Sequence, residues 1–142
     1  IPLRLVGSEM CIRDRSIPAA IPYADTSSFE ALDPGNDCEL VLFGHNHIQF
    51  THELGSKTYI NPGSVGQPRC GRTHACYAVF EDGKYIPRQV TYDQRPWISE
   101  LDKIDDLRQY PKFTSWLKEG FLAGYGIGKR EPWIRFHEEG YF

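Results

Sequence analysis

The chain has 142 residues, 40% of them hydrophobic and 25% charged, with a formal net charge of −3. That length suits one domain with a modest core. The mildly acidic balance argues against a nucleic-acid surface, which needs clustered Lys and Arg, and no apolar run approaches the roughly 20 residues that span a bilayer. The four cysteines (Cys11, Cys38, Cys70, Cys76) are too scattered for a disulfide framework, and the start lacks the pattern of a secretory signal. Reduced thiols and a cytoplasmic location are therefore expected.

The first segment, "IPLRLVGSEMCIRDR", has neither a period of 2 nor a helical stripe, and it does not begin with Met. Its second part resembles translated sequencing-adapter read-through. Residues 1–15 are accordingly set aside as non-native, and the natural N-terminal part is expected to be missing. "YADTSSFEAL" predicts a short helix with Asp25 or Thr26 as N-cap and "DPGND" as its stop. "ELVLF" (39–43) is apolar at consecutive positions, which predicts a central strand covered on both faces. Strands are then expected around Gln49–Leu54, Thr58–Asn61, Ala75–Phe80 and Lys84–Tyr92. Gly55-Ser56 turns the first pair, and Asp82-Gly83 signals a hairpin. The expectation is a strand-helix fragment running into a β-meander. Beyond "TYDQRPW", helical spacing (Ile98, Leu101, Ile104, Leu107) breaks at Pro111 and resumes through "FTSWLKEG". No structure is assigned to the Gly- and aromatic-rich end.

The chemistry concentrates in "FGHNHIQF" (43–50), directly after the apolar strand. In an extended segment, residues i and i+2 point the same way, roughly 7 Å apart. His45 and His47 would then converge on one site, as ligands of one metal or of a pair of metals about 3.5–4 Å apart. Gly44 would let the chain turn beside that site. A His-x-His pair by itself is more often a pair of surface or hydrogen-bonded histidines. The next segment, "YINPGSVGQPR" (59–69), is a loop stiffened by Pro62 and Pro68, with Gly63 and Gly66 permitting unusual backbone geometry. It offers Asn61, Ser64 and Arg69 as polar groups.

Together, "LVLFGHNHIQF" and "YINPGSVGQPR" resemble the calcineurin-like metallophosphoesterase superfamily, and within it the small prokaryotic phosphodiesterase branch. The family's last metal motif is Gly-His-x-His, followed after a short hairpin by Asn-Pro-Gly-Ser. The resemblance covers roughly residues 20–93 and implies the C-terminal part of an α/β/β/α sandwich with a two-metal site. It makes His45 and His47 ligands of two divalent ions (Mn, Fe, Zn or Ni), whose shared water would attack phosphorus in line with the leaving alcohol. Gly44, Asn46, Asn61, Gly63, Ser64 and Arg69 would shape or support the pocket, and no residue of this chain is assigned as a catalytic acid or base. The family's Asp-x-His, Gly-Asp-x-x-Asp, Gly-Asn-His and lone upstream His motifs are absent. This chain is therefore expected to be inactive alone.

The resulting organisation is a non-native segment 1–15, the C-terminal half of a phosphoesterase domain over 16–93, and a helical, Gly/aromatic-rich extension over 94–142. The expected partner is a phosphorylated small molecule or nucleotide, as a mono- or diester, with oligomeric state open. A scaffold on the same fold is the alternative, and the retained histidine pair argues against it. Cys70, His74 and Cys76 lack the second ligand pair of a structural zinc site, and "GYGIGKR" lacks the Gly and Ser/Thr of a phosphate loop. His52 and His137 read as surface residues. Trp97, Trp116 and Trp133 read as packing the C-terminal helices onto the sheet.

Overall fold

The computed structural model describes residues 3–6, 21, 24–33, 35, 37–126, 134–135 and 138–140. Trp133, His137 and other parts of the Gly/aromatic-rich end lie outside the described residues. Strand β1 (Leu3–Val6) is followed by helix α1 (Thr26–Glu30), then β2 (Leu40–Phe43), β3 (Gln49–Leu54), β4 (Lys57–Pro62), β5 (His74–Glu81) and β6 (Lys84–Thr91). Helices α2 (Arg95–Glu100), α3 (Asp105–Arg108) and α4 (Pro111–Leu122) complete the chain, with a 3₁₀ turn at Leu101–Lys103. β1 falls within the segment set aside above.

The strands divide into two sheets. One has the order β1-β2-β4-β3, and the other is the β5-β6 hairpin. The expected meander is thus interrupted after β4, where the Pro- and Gly-rich loop carries the chain from one sheet to the other. β2 is central and pairs in parallel with both neighbours, Val41 opposite Arg4 and Tyr59. β3 and β4 form an antiparallel hairpin, Leu54 opposite Lys57, with Gly55 at φ 62 in its turn. Asp82 and Gly83 both adopt positive φ (49° and 74°), as a two-residue hairpin of right-handed strands requires. Gln49 ties the sheets together. Its amide nitrogen donates to the Pro62, Tyr77 and Arg88 carbonyls at 3.2, 2.9 and 3.2 Å, and its oxygen accepts from Gln89 at 2.9 Å.

Burial follows the pleat. Val41 and Phe43 of β2 are buried, while Leu40 and Leu42 are half-buried. The described residues therefore cover one face fully, rather than both as the apolar run suggested. That face packs on α1, whose N-cap Asp25 accepts from the Ser28 amide at 3.1 Å. Phe29 is fully buried among Leu32, Cys38, Val41, Phe43 and Tyr59. Its ring meets Tyr59 edge-on at 5.6 Å and stacks on His52 at 3.7 Å, nearly parallel. This corrects the surface reading of His52, whose imidazole is a lid on the Phe29 side chain.

The helices form a second cluster, with Ile98, Leu117 and Phe121 buried against Trp97, Leu101, Leu107 and Trp116. Trp97 meets Phe121 edge-on at 4.6 Å. The expected break at Pro111 is present: α3 ends at Arg108, Tyr110 is non-helical (φ −124°, ψ 65°), and Pro111 starts α4, where a missing N–H costs nothing in the first turn. A further break falls at Ile104, which is extended (φ −83°, ψ 113°) and 45% exposed. Truncating Phe29→Ala should cost about 3–5 kcal/mol of unfolding free energy in urea titration, the usual cost of emptying a buried aromatic site. His52→Ala should cost about 0.5–1.5 kcal/mol through the lost ring contact, where a surface histidine would give no change.

Candidate metal centre

β2 ends at Phe43, and the chain reverses direction over Gly44 to Ile48 before β3 begins. The two imidazoles do not sit on an extended segment. His45 and His47 both have positive φ, 77° and 63°, a region that side chains other than glycine rarely enter. The Asn46 amide donates to the Gly44 carbonyl at 3.1 Å, a three-residue turn centred on His45 and of the strained kind. The spacing of the histidines was readable in the sequence. The backbone that presents them was not, and the strain falls on the histidines themselves rather than on Gly44.

Neighbouring residues hold this turn in place. Asn61, fully buried at the end of β4, donates from Nδ2 to the Gly44 carbonyl at 3.1 Å and to Asn46 Oδ1 at 2.6 Å. Its Oδ1 accepts from the Gly63 amide at 3.0 Å. Asn46, itself 2% exposed, also accepts from the Ile48 amide at 3.3 Å. The two asparagines thus join the histidine turn to the "NPGS" loop. In that loop Ser64 turns inward on the backbone, its Oγ accepting from the Gln67 amide at 2.9 Å and its carbonyl from the Cys76 amide at 2.9 Å. Gly63 has φ 84°, and a Cβ there would lie 2.6 Å from that of Cys76 and 3.0 Å from that of Gln49.

The loop grips His47 from two sides. The Arg69 amide donates to the His47 carbonyl at 3.2 Å, and His47 Nδ1 lies 2.9 Å from the Gln67 carbonyl. A carbonyl oxygen only accepts, so Nδ1 carries the proton and the neutral ring keeps its lone pair on Nε2. That arrangement fixes the tautomer of a metal-ligating histidine. Burial, and then the Arg69 charge, push the pKa of both imidazoles below the ordinary histidine value; for His47 the Gln67 bond opposes the shift. Burial also lowers Arg69 from the usual guanidinium range. Two neutral imidazoles beside a guanidinium are groups that can offer nitrogen to a cation and positive charge to an anion.

Of the residues singled out in the sequence, Gly44, His45, Asn46, His47, Asn61, Gly63, Ser64 and Arg69 come together here. Asn61 spends its side chain on the backbone and on Asn46, and Ser64 spends its own on the backbone. Gln67 was not singled out, since its contribution is a main-chain oxygen that any residue could supply. Among the described residues, no group of three or more His, Cys, Asp or Glu side chains is placed to hold a metal, and this includes Cys70, His74 and Cys76.

Residues 22–83 match the sequence profile of the calcineurin-like phosphoesterase superfamily domain. Over this segment the chain is similar to that superfamily. A Methanocaldococcus jannaschii protein named only as uncharacterised is 32% identical over 109 residues, which is 65% of this chain and 42% of that protein. A probable metallophosphoesterase of Mycoplasma genitalium is 37% identical over 43 residues, 30% of this chain and 26% of that protein. Two crystal structures share the fold. A hypothetical protein from Pyrococcus horikoshii has TM-score 0.56 and 20% identity, over 75% of this chain and 41% of its own. A metallophosphoesterase from Sphaerobacter thermophilus has TM-score 0.52 and 23% identity, over 69% and 46%. The chain spans less than half the length of each of these relatives. The mixed α/β architecture is that of the metallophosphoesterase neighbours.

Two measurements check this geometry. Long-range ¹H–¹⁵N spectra of the neutral protein should show His47 as the Nδ1–H tautomer; the Nε2–H form would contradict the Gln67 bond. Asn61→Asp turns the donor facing two oxygens into a third acceptor. It should cost about 2–4 kcal/mol in urea titration, from buried groups left unsatisfied at about 1–3 kcal/mol each. Gly63→Ala should cost about 2 kcal/mol or more through its φ and the contact with Cys76.

Proposed function

We propose that this chain contributes His45 and His47 as two ligands of a divalent-metal phosphoesterase. The match of residues 22–83 to the calcineurin-like phosphoesterase superfamily supports hydrolysis of phosphate esters as the reaction class. The observation that carries the metal reading is the pair of imidazoles, neutral and held at positive φ by buried hydrogen bonds. Backbone strain of that size, about 1–3 kcal/mol per residue, persists where the surroundings enforce it and clusters at functional sites. A scaffold on this fold has no use for it.

The donor chemistry fits. His47 presents Nε2 with its proton fixed on the opposite nitrogen, and His45 sits two residues away under the same Arg69 field. Mn, Fe, Zn and Ni all accept imidazole nitrogen. Divalent ions bound there supply Lewis acidity toward phosphate oxygens and make water nucleophilic at neutral pH. Arg69 is positioned to attract a phosphate and to offset its charge. Two imidazoles are too few donors for a pair of ions, so the remaining ligands come from outside the described residues. Anionic oxygen ligands are needed among them. The substrate is a phosphorylated small molecule or nucleotide.

On this reading the chain by itself binds Mn²⁺ weakly and leaves p-nitrophenyl phosphate intact. The protein that carries it in the cell hydrolyses that ester with Mn²⁺. There, His47→Ala should reduce turnover at least about 10²-fold with the fold retained by circular dichroism. Near-normal rates at limiting metal would remove the ligand role from His47.

A further inference from the structure

A cavity of about 460 Å³ opens beside the histidine site, well within the size range of small-molecule pockets. Val65, Gly66 and Gln67 form one wall, and Ala75 and Val90 of the second sheet form its floor. Tyr92, Trp97 and Phe121 close the far side. The lining is almost wholly apolar, and its aromatic side chains are held in place. Trp97 is wedged edge-on against Phe121, and the Tyr92 hydroxyl donates to the Val65 carbonyl at 3.3 Å.

Gln67 belongs to both places. Its side lines the cavity, and its carbonyl accepts the Nδ1 proton of His47. The loop that fixes one ligand imidazole is therefore the near wall of an apolar cavity. A phosphoester held at His45, His47 and Arg69 must direct its leaving group somewhere. Val65, 63% exposed, and Gly66 stand on the loop between the two. We infer that this cavity receives a flat aromatic leaving group of the substrate, a phenyl or nucleobase-sized ring, with Trp97 as its stacking partner. The inference rests on the phosphoesterase reading for the phosphate end. The ring pocket itself stands on the cavity and its lining. Aromatic side chains favour flat rings over aliphatic groups of similar size, because offset or edge-on contacts add to simple burial.

Gly66 gives a clean test. A Cβ there meets nothing within 4 Å, and the residue does not need a positive φ, so a larger side chain fits without strain and reaches into the cavity. Methyl NMR on the metal-free chain, titrated with 4-nitrophenol and with 4-nitrophenyl phosphate, should show saturable shifts at Val65, Ala75 and Val90. Methyl phosphate should shift them at least about tenfold more weakly. Gly66→Leu should weaken both aryl probes at least about tenfold, and the exposed variant Val65→Lys should act in the same direction. Equal affinity for aryl and methyl probes, shifts confined to other residues, or unchanged aryl affinity in both variants would overturn the proposal. Failure of metal-dependent hydrolysis by the protein that carries this chain in the cell, with aryl binding intact here, would count against the phosphoesterase reading and not against the pocket.

Discussion

The site depends on one buried amide, that of Asn61. At the end of β4 it donates to the Gly44 carbonyl and to Asn46 Oδ1, and accepts from the Gly63 amide. The left-handed conformations of His45 and His47 cost about 1–3 kcal/mol each. The net value of a single hydrogen bond is about 0.5–1.5 kcal/mol. No one bond therefore holds the turn. It is held because removing Asn61 would strand several buried polar groups at once, each at a penalty larger than the bond itself.

That constraint also explains the order of elements. β2 must end beside β4 for Asn61 to reach Gly44, and the parallel β2–β4 pairing provides this, with Leu42 opposite Ile60. The β3–β4 hairpin between them returns the chain to the site with no loop to spare. From Asn61 the chain continues straight into Gly63 and Ser64, whose contacts with Cys76 launch the second sheet. Gln67 and Arg69 then lie back across His47. Sheet, turn and loop form one unit, and a change at Gly63 is expected to be felt at the histidines.

The electrostatics work in one direction. Burial and the Arg69 charge both favour neutral imidazoles, and neutral imidazole is the form that binds metal. The same guanidinium would repel a cation bound by these nitrogens alone. A cation bound there would need further anionic ligands to balance that charge.

Much of the fold was legible in the residues. Strand and turn signals placed β3 at Gln49–Leu54, Asp82-Gly83 marked the β5–β6 hairpin, and Asp25 was one of two candidate N-caps for α1. These are local signals, since turn chemistry, capping and pleat periodicity act within a few residues. The motif spacing likewise brought His45, His47, Asn61 and Arg69 to attention. Tertiary contacts decided the rest. A histidine enters the left-handed region only when distant groups enforce it, so the turn at His45 cannot be read from "GHNH". The stacking of His52 on Phe29, 23 residues apart, is invisible to any pattern in β3. The second break in the helical region, at Ile104, separates the 3₁₀ turn from α3 with no Gly or Pro to signal it. The sequence by itself determined which side chains are candidates for the chemistry, and the fold decided which way they face, because direction depends on hydrogen bonds that close across 15 or more residues.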